Sequence, residues 1–283
     1  ATKSPVSRTA EITCHMPPDP AQNRPALPHA LHDRDVLEQA LDRRRPRIFL
    51  DYDGTLTPIV PRPEDAVLAP ATRAAVARLA ARYPVAVISG RQLADVRALV
   101  GLPELYYAGD HGFEIAGPEG FEWQFGQGYV DELASLHRQL VARLPQPDGL
   151  LLEQKRYSLS IHYRPVEREA LPPVEQALTA ILAEHPRLRL RAGKQVFEIR
   201  PHVDWHKGKA VRKLMEILGA DRHALPIFIG DDVTDEDAFE ELRPAGLGIL
   251  VSEDPRPTAA AFRLHDPDEV RALLDYLADR PPP

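Results

Sequence analysis

Five short apolar runs, each broken off by small or acidic residues, limit the folds open to this chain. They are residues 47–50 before Asp51, 85–88 before Ser89 and Gly90, 105–108 before Gly109 and Asp110, 226–229 before Gly230 and Asp231, and 247–251. Runs of this length without polar alternation suit strands buried on both faces. Between them, residues 70–81, 93–100 and 209–218 carry apolar side chains at helical spacing. Such alternation argues for an open parallel sheet with helices on both faces. In such sheets the ligand binds beyond the carboxyl ends of the strands. The polar residues that end the runs are therefore expected to converge on one site.

The stretch from 128 to 202 breaks this rhythm. Helical spacing over 129–144 precedes two strand-like segments, 150–155 and 158–164. A second helical segment, 174–183, precedes 188–192 and 195–201. Strands paired by tight hairpins make an antiparallel sheet with its helices on one face. The chain is thus expected to be α/β, a Rossmann-like parallel-sheet core over 31–127 and 203–283 with an inserted α+β cap at 128–202. Residues 1–30 hold Pro5, Pro17, Pro18, Pro20, Pro25 and Pro28 without helix or strand period, and read as a flexible extension.

A net charge of −7 counts against nucleic acid as a partner, which calls for a basic footprint. No apolar run approaches the ~20 residues of a membrane span. The single cysteine, Cys14, has no partner for an internal disulfide, which fits a cytoplasmic protein. No heptad repeat is visible, so a monomer is expected.

Asp51 and Asp53 stand two apart at the end of the first run, and Gly54 lets the chain turn. Paired carboxylates can divide the nucleophile and acid roles of phosphoryl transfer. Both would be negative beside a phosphate, so a cation is required, and hard oxygen donors suit Mg²⁺. An acidic turn after a strand is equally common without function. Ser89, Gly90 and Arg91 offer a hydroxyl and backbone N–H groups at a helix start, as an anion site or an ordinary N-cap. Lys207 opens the helix before the fourth run, where it could neutralise a phosphoryl group or lie in solvent. Five acidic residues fall between 231 and 237. The helix dipole accounts for Asp235, Glu236 and Asp237, and less well for Asp231 and Asp232.

Taken in order, the Asp51–Thr57 motif, Ser89–Gly90–Arg91, Lys207–Gly208 and Gly230–Asp231–Asp232 resemble the haloacid dehalogenase superfamily. Residues 107–112, 152–164 and 198–201 narrow the likeness to the trehalose-6-phosphate phosphatase family, over about 46–275. Members of that family often carry Asn where Asp110 stands. The resemblance implies Mg²⁺-dependent hydrolysis of a sugar phosphate through a phospho-aspartate on Asp51. It makes Asp53 the general acid and base, and Ser89 and Lys207 the holders of the phosphoryl group. Arg91 would lie with the substrate. Asp51, Asp53 (through its carbonyl) and Asp231 would hold the metal, with Asp232 behind them.

In the cap, Glu153, Lys155, Arg164 and Glu198 match positions that read the sugar. Strand periodicity puts Glu153 with Lys155, His162 with Arg164 and Glu198 with Arg200 on shared faces. A solvated face of cross-strand ion pairs would look the same. Relatives acting on sucrose 6-phosphate or mannosyl-phosphoglycerate, phosphomannomutases, and a catalytically dead sensor are the rival readings. The presence of Asp51, Asp53, Lys207 and Asp231 counts against the sensor.

Overall fold

The computed structural model describes residues 27–281 apart from residue 194. The chain enters through α1 (Arg34–Leu41) and β1 (Arg45–Leu50), then α2 (Pro70–Ala80), β2 (Val85–Ile88), α3 (Leu93–Val100) and β3 (Tyr106–Gly109). Two short strands follow, β4 (Glu114–Ala116) and β5 (Glu122–Gln124). The cap comprises α4 (Gly128–Arg143), β6 (Leu151–Gln154), β7 (Leu159–His162), α5 (Leu171–Leu182), β8 (Leu188–Gly193) and β9 (Val196–Pro201). The chain returns through α6 (Lys207–Ile217), β10 (Ala224–Gly230), α7 (Val233–Leu242), β11 (Leu247–Val251), β12 (Phe262–Leu264) and α8 (Pro267–Asp279).

The large sheet runs β12-β11-β10-β1-β2-β3-β4-β5. Its pairs are parallel from β12 to β3 and antiparallel from β3 to β5. Alternate residues of a strand face opposite ways, and here both sides are apolar. Ile48, Leu50, Ile227 and Ile229 pack with α2, α3 and α8 on one face. Phe49, Ile88, Phe228 and Leu250 pack with α6 and α7 on the other. This double burial is why the central runs lack polar alternation. The parallel-sheet expectation holds, and the antiparallel edge β4–β5 and the short strand β12 extend it.

The cap sheet is antiparallel, in the order β6-β7-β9-β8. Leu159, Ile161, Phe197 and Ile199 face Leu133, Leu136 and Leu140 of α4 and Val174, Leu178 and Ile181 of α5. The intervening residues therefore point the other way. In register across the sheet, Glu153 lies opposite Ser160, Ser160 opposite Glu198, and Glu198 opposite Arg191.

Most of the 1–30 extension lies outside the described residues, but its last part is docked. The Arg263 N–H donates to the Pro28 carbonyl at 3.0 Å, and the Ala30 N–H donates to the Arg263 carbonyl at 3.0 Å. Buried His29 meets Glu269 of α8 at 3.0 Å. Residues 28–30 thus belong to the core edge. Among the described residues no helix is long and apolar enough to cross a membrane.

The cap has its own apolar core, so a cavity there should weaken the cap first. Ile199→Ala is expected to cost about 2–5 kcal/mol. Amide hydrogen exchange should then rise across α4, α5 and β7, with the β1–β10 pair still protected. Equal loss in both regions would mean that cap and core unfold as one unit.

Candidate active site

The carboxyl ends of β1 and β10 lie side by side, so Asp51 and Asp231 emerge as neighbours. Asp51 is buried, and its Oδ1 accepts from the Lys207 Nζ at 2.7 Å. The same ammonium donates to Asp235 Oδ1 at 2.6 Å. Asp235 is fully buried in the first turn of α7, and its Oδ2 accepts from the Asp232 N–H at 2.9 Å. Asp51, Asp231 and Asp235 each bring a carboxylate oxygen within 4.8 Å of the others. Two glycines make room for this. Gly54 has φ +83°, and a Cβ there would come within 2.1 Å of Asp231 Oδ2. A Cβ on Gly230 would come within 2.4 Å of Asp235 Cγ.

Burial pushes the Asp51 carboxyl well above its ordinary range; Lys207 opposes this, and Asp235 and Asp231 reinforce it. Burial likewise pushes Asp231 up to about 6, reinforced by Asp235. Burial alone would lower Lys207, but the Asp51 and Asp235 charges outweigh it and hold the ammonium firmly protonated. Three carboxylates thus share one lysine, an arrangement with room for a further cation. The donors are all hard oxygens, which fits Mg²⁺.

The other predicted residues divide. Ser89 is buried, and its Oγ accepts from the Arg91 N–H at 3.1 Å. Asp53 stands apart from the carboxylate cluster. Its two oxygens accept from Arg91 Nε and Nη2 at 2.7 and 2.6 Å, and Arg91 Nη2 also donates to the Pro63 carbonyl at 2.8 Å. The Arg91 fork is thus engaged by Asp53 rather than free for substrate. Asp232 is exposed at the start of α7, while Asp235 takes the buried place.

A cleft of about 500 Å³ opens above this cluster, between core and cap. Its core wall includes Gly90, Asp110, His111 and Lys207, and its cap wall includes Ser158, Arg189, Arg191, Glu198 and Arg200. Glu198 thus faces the cleft, where it accepts from Arg200 at 2.8 Å. Glu153 bonds to His162 at 2.9 Å. Lys155 lies close enough to act on the charge of both Asp110 and His111. Arg164 lies past the end of β7, exposed and donating to Gln195 at 3.0 Å, outside the cleft wall.

Sequence reasoning missed Asp235, Arg189 and Arg191 as site residues; it set Asp110 at a converging strand end and His111 within the family motif without giving either a role. Asp110 and His111 both have left-handed backbones, φ +49° and +58°. The Asp110 side chain is buried, and its Oδ2 has no hydrogen-bond partner among the described residues. Burial, with Glu114 nearby, pushes Asp110 up to about 7. Burial and the Arg200, Lys207 and Lys155 charges hold His111 well below its ordinary range, as a neutral imidazole. Trp123 and Trp205 pack at the junction between domains with Phe113, Phe125 and Tyr157.

Comparison with known proteins bears directly on this site. The sequence profile of the trehalose-phosphatase family matches residues 49–268. A trehalose 6-phosphate phosphatase of Zea mays is 41% identical over 271 residues, covering 89% of this chain and 75% of that protein. The chain belongs to the trehalose-phosphatase family. It is a phosphatase. A probable trehalose-phosphate phosphatase of Arabidopsis thaliana is 40% identical over 266 residues, covering 89% of this chain and 72% of that one. The solved trehalose-6-phosphate phosphatase of Aspergillus fumigatus superposes with a TM-score of 0.66 at 28% identity, over 89% of this chain and 99% of that one. The family fold, core and cap together, is therefore that of the structure described above.

Asp110 is a carboxylate buried in this family member's cleft, and its raised pKa carries a stability cost. The side chain takes up a proton near pH 7 when folded and near 3.8 otherwise. The cost is therefore full above pH 7 and fades as pH falls toward 3.8. Asp110→Asn is expected to raise the melting temperature at pH 8 by roughly 3 °C or more, with a smaller gain at pH 5. A gain equal at both pH values would trace to the left-handed backbone, which Asn tolerates well, and not to the charge.

Proposed function

We propose that this chain hydrolyses trehalose 6-phosphate to trehalose and phosphate, the last step of trehalose synthesis, through a phospho-aspartate on Asp51. The observation that carries this reading is the buried Asp51–Lys207–Asp235 row beneath a cleft walled by polar cap residues. The relatives named for trehalose 6-phosphate support the substrate.

In this mechanism Asp51 attacks phosphorus with the oxygen that Lys207 leaves free. The bond from phosphorus to the sugar oxygen breaks, and Asp53 supplies the proton that this oxygen takes up. Because Arg91 holds both Asp53 oxygens, proton delivery requires one of those bonds to open. Asp53 then takes a proton from the water that attacks the phospho-aspartate and frees Asp51. Lys207 and the Ser89 hydroxyl neutralise and orient the phosphoryl oxygens. Asp51, the Asp53 carbonyl, Asp231 and Asp235 would hold Mg²⁺, with Asp232 behind them; the ion's chemistry is to offset charge on the phosphoryl group. Glu198, with Glu153 and Lys155, would read the sugar hydroxyls; Arg164, outside the cleft wall, could join them only if the cap moved. The cleft wall supports Glu198 most directly. The lone Cys14 and the absence of a heptad repeat support a monomer in a reducing, cytoplasmic setting.

Asp51→Asn should leave the fold intact and lower turnover by about 10³ or more. Near wild-type turnover with Mg²⁺ present would remove Asp51 as the nucleophile. With Mg²⁺, phosphate release should be much faster from trehalose 6-phosphate than from glucose 6-phosphate or sucrose 6-phosphate, and EDTA should stop it. A preference for sucrose 6-phosphate would overturn the substrate while leaving the Asp51 chemistry standing.

A further inference from the structure

The β6–β7 hairpin is where the cap reaches down to the core. Its turn is closed by the Lys155 N–H donating to the Ser158 carbonyl at 2.9 Å, which leaves Arg156 and Tyr157 at the tip. Both tip side chains turn onto the core. The Tyr157 ring is 2% exposed and stacks on Phe113, with centroids 4.9 Å apart at 23°. Arg156 Nε lies 3.2 Å from Glu114 Oε1. Its Nη2 donates to Gln124 Oε1 at 3.3 Å, and Gln124 Nε2 donates to Glu114 Oε1 at 3.3 Å. Glu114 and Gln124 face each other across the β4–β5 pair. The antiparallel edge of the sheet thus presents a carboxylate and an amide to one guanidinium from the cap.

Of the two residues that flank the tip, one lines the cleft and the other acts on it by charge: Ser158 is in its wall, and the Lys155 charge acts on Asp110 and His111. A shift of the tip would carry both with it. We propose that Arg156 is a positioning residue: its clasp on Glu114 and Gln124 seats the hairpin tip and so sets Lys155 and Ser158 over the bound sugar phosphate. This inference rests on reading the cleft as the sugar-phosphate site.

The energetics favour such a role. The Glu114 side chain is 9% exposed, and burial pushes its carboxyl above the ordinary range while Arg156 opposes that shift. A buried carboxylate is costly unless it is paired. Its partner comes from the cap, so the pairing exists only while the tip is seated. With Arg156 absent, the seated state would keep a buried, unpaired charge, and the cap would favour lifting off. Arg156 is itself partly exposed, which tempers the effect.

The test compares full-length wild type, Arg156→Ala, Arg156→Lys, Glu114→Ala and the Arg156→Ala/Glu114→Ala double variant. For each, kcat and KM are measured with trehalose 6-phosphate and with p-nitrophenyl phosphate, which is too small to engage the cap. Arg156→Ala is expected to lower kcat/KM for the sugar phosphate by roughly ten- to a hundredfold, as when one partner of a buried pair is lost. The aryl phosphate should change by less than about twofold. Arg156→Lys should keep most of the sugar-phosphate activity. Adding Glu114→Ala to Arg156→Ala should recover part of the loss, because no unpaired carboxylate stays buried. The proposal falls if both substrates decline in parallel, if the two losses simply multiply, or if Arg156→Ala keeps full sugar-phosphate activity. If wild type proves inactive on trehalose 6-phosphate, the substrate reading fails. The same ratio then tests the clasp with whichever sugar phosphate the enzyme takes.

Discussion

The Lys207 ammonium sits where three separate pieces of chain meet. Asp51 ends β1, Asp235 lies in the first turn of α7, and Lys207 itself opens α6. A cation at a helix N-terminus opposes the helix dipole, and full burial adds a desolvation penalty. Only the two carboxylates make that position tolerable. Removing one partner of such a group typically costs about 3–5 kcal/mol, because a charge is left stranded. The lysine has three N–H donors and spends two of them here. One ammonium therefore fixes the register of β1, α6 and α7 at the spot where the phosphate chemistry is proposed. A local rule broken at such a place is what a functional site looks like.

Much of this was readable in advance, for identifiable reasons. Strands over 85–88 and 247–251 and the helix over 93–100 appear where the spacing predicts them, because double burial leaves an unbroken apolar run. The strands Glu114–Ala116, Glu122–Gln124 and Phe262–Leu264 span three residues each, too few to display a period. Helix α8 carries a local start signal, with Asp266 at its N-cap and Pro267 after it. Asp51, Lys207 and Asp231 stood out because they end apolar runs or follow a turn. Asp235 did not, since an acidic residue in the first helical turn is ordinary. Arg189 and Arg191 alternate with apolar residues along β8, a pattern that a solvated strand face shares. The Asp53–Arg91 pair joins residues 38 apart in sequence, and no local pattern announces it.

Charge is distributed unevenly over the molecule. The whole chain carries −7, yet Lys155, Arg189, Arg191, Arg200 and Lys207 gather around one cleft. Asp110, Glu198, Asp204 and Asp237 line the same cleft, so these cations act on an approaching anion as locally placed charges and not as a field of one sign. The neutral His111 imidazole registers those cations, whereas burial and Glu114 hold the Asp110 carboxyl high against the pull of Lys155 and Arg200. A phosphate ester can thus be drawn to an acidic protein without a basic surface.

The cap enters and leaves the core at neighbouring points. Phe125, at the outgoing end of β5, stacks on Trp205 at the return, with ring centroids 4.3 Å apart. The large sheet draws none of its strands from the segment between them. A detour that begins and ends at one doorway leaves the topology of the house unchanged. Evolution can lengthen, shorten or exchange such a detour without re-registering a single pair of core strands. The chemistry and the choice of substrate can therefore drift at different rates in descendants of one gene.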